Sequence, residues 1–185
     1  METEKKDYPV NLYAYYEANS DIEKRTNGTK KIVYYVLAAI CLLLIIFPSI
    51  LPLSSSLIRV IGVIGLLYFG FVAYFGGEAY YNKQSGGKIV KSAVKKFDSS
   101  AVSEEALLQM FEAGDFKGLA DAAEANNQPL QLYIHEDATG KVFYLQLMKY
   151  FSSSDFRGMS EVKEVHEPEY SEVYSTIKSI RTTTS

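Results

Sequence analysis

Cysteine occurs once in 185 residues, at Cys41, and histidine twice, at His135 and His166. A lone cysteine excludes an intrachain disulfide and a thiolate metal cluster. Cys41 lies inside an apolar run, which speaks against a Cys–His nucleophile pair and reads as a small hydrophobe. Clustered lysine and arginine are missing from the C-terminal half. Residues 98–185 carry 15 acids and 7 bases. Phosphate contacts require dense positive charge, so no nucleic-acid partner is expected. Charge of either sign is nearly missing from Ile32 to Gly77. There 34 of 46 residues are apolar and Arg59 alone is charged. The chain as a whole is 48% hydrophobic, an ordinary value that hides this segregation. A single soluble globule is excluded.

Sequence motifs for catalysis are also scarce. There is no Gly-x-Ser-x-Gly elbow, dinucleotide fingerprint, calcium loop or zinc spacing. Ser85-Gly86-Gly87-Lys88 resembles a phosphate loop only in part. Asn82 stands where the first glycine belongs, and Ile89 follows the lysine in place of Ser or Thr. His135-Glu136-Asp137 and His166-Glu167-Pro168-Glu169 read as polar, solvated strand ends. Glu104 and Glu105 suit the positive end of a helix better than an acid–base pair. No catalytic residue, cofactor site or metal ligand is assigned, and no cofactor is expected.

The apolar stretch divides in two. Ile32–Ile58 has no charge, and Pro48 and Pro52 suit a helix end and a turn. Leu57–Gly77 forms a second run whose Arg59, two residues in, can snorkel to headgroups. About 20 helical residues cross a bilayer core. The pattern predicts a transmembrane hairpin over residues 32–77, with helices at about 32–52 and 57–77. A cleaved signal peptide fits badly, because the first run is too long and a second follows at once. Lys24, Arg25, Lys30 and Lys31 precede the hairpin, and Lys83, Lys88, Lys91, Lys95 and Lys96 follow it. This basic flanking predicts both termini on the cytoplasmic side. Lys24, Arg25, Lys30, Lys31, Lys88, Lys91, Lys95 and Lys96 are the candidate membrane-surface contacts. A multi-pass integral protein of a bacterial inner membrane is the expected setting.

At 100° per residue, Gly62, Gly65, Gly70, Ala73 and Gly77 fall within one arc of the second helix. Small residues allow close helix approach in lipid. These five are the candidate helix-packing residues. Packing within the hairpin is one reading, and homo-oligomerisation is the other. Neither run holds an acid, a histidine or an amide, so an oligomeric transporter subunit ranks third among functions.

Residues 1–31 read as a partly ordered cytosolic segment. In it Leu12, Tyr15, Tyr16 and Ile22 would line a short helix lying on the membrane or on the distal domain. Residues 78–88 read as a flexible linker. Residues 89–180 read as a small α+β domain, and 181–185 as a disordered tail. A strand over Lys88–Phe97 leads to a helix capped by Ser103 and stopped by Gly114. Asp115 caps a second helix with Phe116, Leu119, Ala120 and Ala123 along one side. Leu130–His135 and Val142–Met148 alternate as a hairpin about Asp137–Gly140, and Met159–Val165 adds a further strand. Tyr170, Val173, Tyr174 and Ile177 share helical spacing. The helix–helix–hairpin order resembles winged-helix DNA binders. The second helix, however, carries Asp115, Asp121 and Glu124 against Lys117 alone.

The expected fold is therefore an integral membrane two-helix hairpin with a small cytosolic α+β domain, two helices on an antiparallel sheet of about four strands. The expected function is presentation of that acidic domain for protein interaction or regulation at the membrane surface. The expected partners are the lipid bilayer, an unidentified protein and a second copy of the chain. A membrane-tethered ligand sensor or enzyme is the alternative.

Overall fold

The computed structural model describes residues 9–26, 28–76, 78–152 and 155–182. They form two compact units. One spans 24–79, and the other combines residues up to Glu23 with those from Tyr80 onward.

The first unit is built on two long helices, α2 (Gly28–Ile46) and α3 (Ser55–Phe75). α2 follows a short helix, α1 (Leu12–Ala18), and a strand, β1 (Ile22–Thr26). Pro48 ends α2 as expected, by opening a 3-10 turn over Pro48–Ile50. The helix therefore stops at Ile46, short of the expected end near 52, and begins four residues earlier, at Gly28. Ser54 caps α3 by accepting a hydrogen bond from Leu57 N at 3.3 Å.

The second unit is an α+β fold. Its sheet runs in the order β3 (Ile89–Lys96), β4 (Leu130–Asp137), β5 (Val142–Ser152), β6 (Asp155–Gly158). A further strand, β7 (Lys163–Val165), also pairs with β5, and all these pairings are antiparallel. The sheet has five strands where about four were expected. Of the expected strand over 159–165 only Lys163–Val165 is a strand, and β6 forms just before that stretch, at Asp155–Gly158.

Three helices cover one face: α4 (Glu104–Ala113), α5 (Phe116–Asp121) and α6 (Glu169–Ser179). Ser103 caps α4 by accepting from Ala106 N, and Gly114 ends it in a left-handed conformation, φ 72°. Asp115 caps α5 by accepting from Gly118 N at 2.8 Å. α5 ends before Ala123, because Ala123 O accepts instead from Asp98 N beyond β3. Leu132, Ile134, Leu145 and Leu147 from the sheet meet Leu107, Phe111, Leu119 and Ile177 from the helices, all nearly free of solvent. Burial of each such side chain contributes about 1.5–3 kcal/mol.

The opposite face is covered too, which the alternation alone did not reveal. Leu12 and Tyr16 of α1 and Ile22 of β1 pack on Ile89, Val142 and Tyr144. The N-terminal segment is thus a structural part of the domain.

The expected linker over 78–88 is ordered. Residues Glu78–Asn82 form a strand, β2, which pairs with β1. The following turn is held by Asn82 Oδ1, which accepts from Gln84 N at 2.8 Å. It is also held by Asp137, whose Oδ2 accepts from Ser85 Oγ at 2.5 Å. A Cβ on Gly87 would collide with the Asp137 carboxylate. Gly87 therefore serves a close approach between two turns, and Gly86 takes a left-handed φ of 68°.

Candidate functional site

α2 and α3 have 19 and 21 residues, with mean hydropathies of 2.0 and 2.1 over their most apolar 18-residue windows. At 1.5 Å per residue they measure about 29 and 32 Å, close to the thickness of a bilayer core. Their outer sides are bare. Ile32, Val36, Ile40 and Leu43 of α2, and Ile64, Leu67, Phe71 and Phe75 of α3, are between 48% and 68% exposed. A core helix of a soluble protein would bury such residues.

The two helices run antiparallel and meet along small residues. A Cβ on Gly62 would lie 2.8 Å from Ile45 Cγ1 and 2.9 Å from Cys41 O. One on Gly65 would lie 2.5 Å from Cys41 Sγ. Ala38, Cys41, Ile58 and Ala73 are buried, and Tyr34 stacks on Phe69 with ring centroids 6.4 Å apart. Gly62 and Gly65 thus lie in the hairpin seam, and Ala73 is buried further along α3. Gly70 does not line the seam, since a Cβ there meets nothing within 4 Å. The arc that holds all five residues is wider than one helix–helix contact, and Gly70 lies at its edge, clear of α2. Gly77 lies outside the described residues.

The candidate basic contacts separate similarly. Arg25, Lys30, Lys88 and Lys91 are exposed, and Lys31 and Lys96 are partly so. Lys24 pairs with Glu78 at 2.8 Å, with both side chains about half exposed. Lys95 differs from these exposed lysines. It is 4% exposed, and its Nζ donates to Ala120 O at the end of α5. Burial lowers its pKa, against the raising influence of Glu124 and Asp121. Lys95 lines a cleft of about 400 Å³ with Asp121, Glu124 and Arg181.

The chain on both sides of the hairpin enters the same unit. Before it, Tyr15 OH donates to Glu164 Oε1 at 2.7 Å, and Val10 O accepts from Gln146 Nε2 at 2.8 Å. After it, Asn82 Nδ2 donates to Tyr144 OH at 3.2 Å and Lys83 N to Asp21 O at 2.8 Å. These contacts fasten segments up to Asp21 and from Asn82 onward to one sheet.

The His135-Glu136-Asp137 run is a correction to the sequence reading. These residues are 4%, 4% and 0% exposed, not a solvated strand end. Because both sheet faces are covered, alternation buries all three. His135 faces α1, where burial and the positive charge of Lys91 lower its pKa from 6.5 to about 4. Glu136 faces α6, accepting from Tyr170 OH at 2.9 Å and pairing with Lys178 Nζ at 2.7 Å. Asp137 Oδ1 accepts from Thr139 N and Gly140 N at 3.0 and 2.9 Å. Glu136 and Asp137 thus hold structure together. His166 remains exposed, with Nε2 2.8 Å from Glu164 Oε2. Among the described residues no three His, Cys, Asp or Glu side chains gather in a metal-binding group.

No protein-family model, curated protein or solved structure matches this chain. The functional reading therefore rests on the residues themselves.

Proposed function

We propose that the chain is a two-pass integral membrane protein whose α2–α3 hairpin anchors a small α+β domain at the cytoplasmic surface. The domain serves protein interaction or regulation there. The carrying observation is the pair of helices that pack on each other and leave long apolar sides bare. In water those sides would face solvent with no compensation, whereas in lipid they are solvated. The fold of the second unit adds support. Residues preceding the hairpin pack with residues following it, so both belong on one side of a bilayer. The surplus of lysine and arginine on that side favours the cytoplasm.

Two measurements test this. The protein should stay in the pellet on alkaline extraction of membranes and leave it with detergent. In a Cys41→Ala background, Ser55→Cys should react with an impermeant maleimide from outside intact cells, and Ser100→Cys should react only after lysis. Extraction by alkali, or labelling of Ser100→Cys from outside, contradicts the assignment. The mixed-charge cleft at Lys95 supports the alternative of a ligand-sensing domain. Recovery of a small molecule rather than a protein with the detergent-extracted chain would favour it.

A further inference from the structure

α1 covers a sheet face that is poorly matched to it. Three buried side-chain atoms on or under the Val10–Tyr16 segment have no hydrogen-bond partner: Tyr16 Oη, His135 Nε2 and Gln146 Oε1. Their residues are 1%, 4% and 0% exposed. Buried polar atoms are rarely left so, because each loses its hydration. The first two belong to rings in contact, with centroids 5.8 Å apart.

The groups around His135 come from every element packed on it. α1 contributes Tyr13, at 5.7 Å between centroids, and Tyr16. β4 itself contributes Tyr133, at 6.4 Å. β5 places Tyr144 directly opposite in register, and β3 places Lys91 opposite on the other side. Tyr80 of β2 reaches Tyr16 at 5.0 Å. The neighbouring acids are engaged elsewhere. Glu136 points to Lys178 and Tyr170, Asp137 to Ser85 and the turn amides, and Glu164 to Tyr15 and His166. Burial raises the tyrosine pKa values at 13, 16, 133 and 144, so these rings are neutral at any pH where His135 titrates. Among the described residues, an imidazolium here would meet tyrosine rings and a lysine, and no carboxylate is hydrogen-bonded to it.

We propose that α1 is a proton-sensitive strap, docked while His135 is neutral and released from the sheet when His135 is protonated. Release uncovers the aromatic face of Tyr133, His135 and Tyr144. The sign follows from linkage. Burial under α1, with Lys91 beside it, holds His135 down to about 4, and loss of that burial returns it towards 6.5. Between those values the undocked state binds the proton and the docked state does not. Docking is therefore at full strength above pH 6.5 and weakens as pH falls towards 4. By pH 4 docking is weakened about 150-fold. In the chain, α1 is followed by β1 and then α2.

The full chain in detergent micelles provides the test. Hydrogen exchange of residues 12–18, corrected for intrinsic rates, is followed from pH 7 to pH 4 beside the His135 ring resonance. Protection should fall selectively in α1, with β4 and β5 retained, and His135 should titrate near 4. Leu12→Asp, which undocks α1, should move that midpoint towards 6.5. His135→Gln should keep α1 protected down to pH 4. A wild-type midpoint near 6.5, or a midpoint unmoved by Leu12→Asp, overturns the proposal. So does equal acid release in His135→Gln. Loss of the acid response in Glu164→Gln would assign the switch to the Tyr15–Glu164 hydrogen bond and equally refute it.

Discussion

Replacing Lys178 by methionine takes away the cation that faces a buried carboxylate. Glu136 is 5% exposed at the side chain, and its two oxygens meet Lys178 Nζ at 2.7 Å and Tyr170 OH at 2.9 Å. Removing one partner of a buried pair costs about 3–5 kcal/mol, because the other charge stays behind without compensation. Here the tyrosine hydrogen bond survives, which puts Lys178→Met near the lower end, about 3 kcal/mol. Glu136→Leu acts differently. Lys178 is 37% exposed and returns to water, so the principal loss is the acceptor of the buried Tyr170 hydroxyl, about 1–2 kcal/mol. The double variant leaves no buried charge, and its cost should match that of Glu136→Leu.

The order is the diagnostic result: Lys178→Met is the most destabilised, and adding Glu136→Leu to it brings the cost back to that of Glu136→Leu alone. The chain has two units, so one global melting midpoint is not a clean measure. Exchange of the α6 amides, Tyr170–Ser179, reads the opening that matters. A loss of about 3 kcal/mol raises their opening constant roughly 150-fold. A double variant as unstable as Lys178→Met would refute the reasoning. So would a Lys178→Met chain with wild-type exchange in α6.

Four further outcomes follow from the packing. Gly65→Leu should force the hairpin seam apart at Cys41, costing about 1–3 kcal/mol and raising Cys41 maleimide reactivity in detergent about tenfold or more. Gly70→Leu, whose Cβ meets open space, should leave that reactivity unchanged. Asp137→Ala strips acceptors from Ser85 Oγ, Thr139 N and Gly140 N, and should cost about 2–4 kcal/mol, seen as faster exchange in the turns at 83–88 and 138–141. Ser103→Ala removes the α4 cap and should speed exchange in its first turn, at a cost of about 1 kcal/mol.

Local patterns in the chain were legible where one residue determines one element. Ser103, Gly114 and Asp115 delimit α4 and α5, and alternation about Asp137–Gly140 gives the β4–β5 hairpin in register. The two long apolar helices were legible from composition alone. Features resting on pairs distant in sequence were not. Nothing in Leu12 or Tyr16 announces contact with Val142 and Tyr144, so His135 read as solvated. Nothing beside Lys95 announces Ala120, 25 residues on, so its lysine was grouped with exposed neighbours. Gly70 shares its helix arc with Gly65. Only the position of α2 distinguishes them.

The same distant pairs constrain how the chain assembles on the membrane reading proposed above. α1 leaves the ribosome before the hairpin, yet its docking surface lies on β4, β5 and the segment reaching Glu164. The Tyr15–Glu164 hydrogen bond spans 149 residues and Val10–Gln146 spans 136. Contacts of such separation form late, since loop closure precedes any gain from them. The hairpin must therefore be inserted while α1 is still undocked. Once docked, α1 and the sheet close the chain on one side of the bilayer, with the hairpin as an excursion from a folded domain. Disrupting Leu12 should then leave insertion intact while removing order from residues 12–18. A chain whose α1 is undocked but still extracts only with detergent is the outcome this order requires.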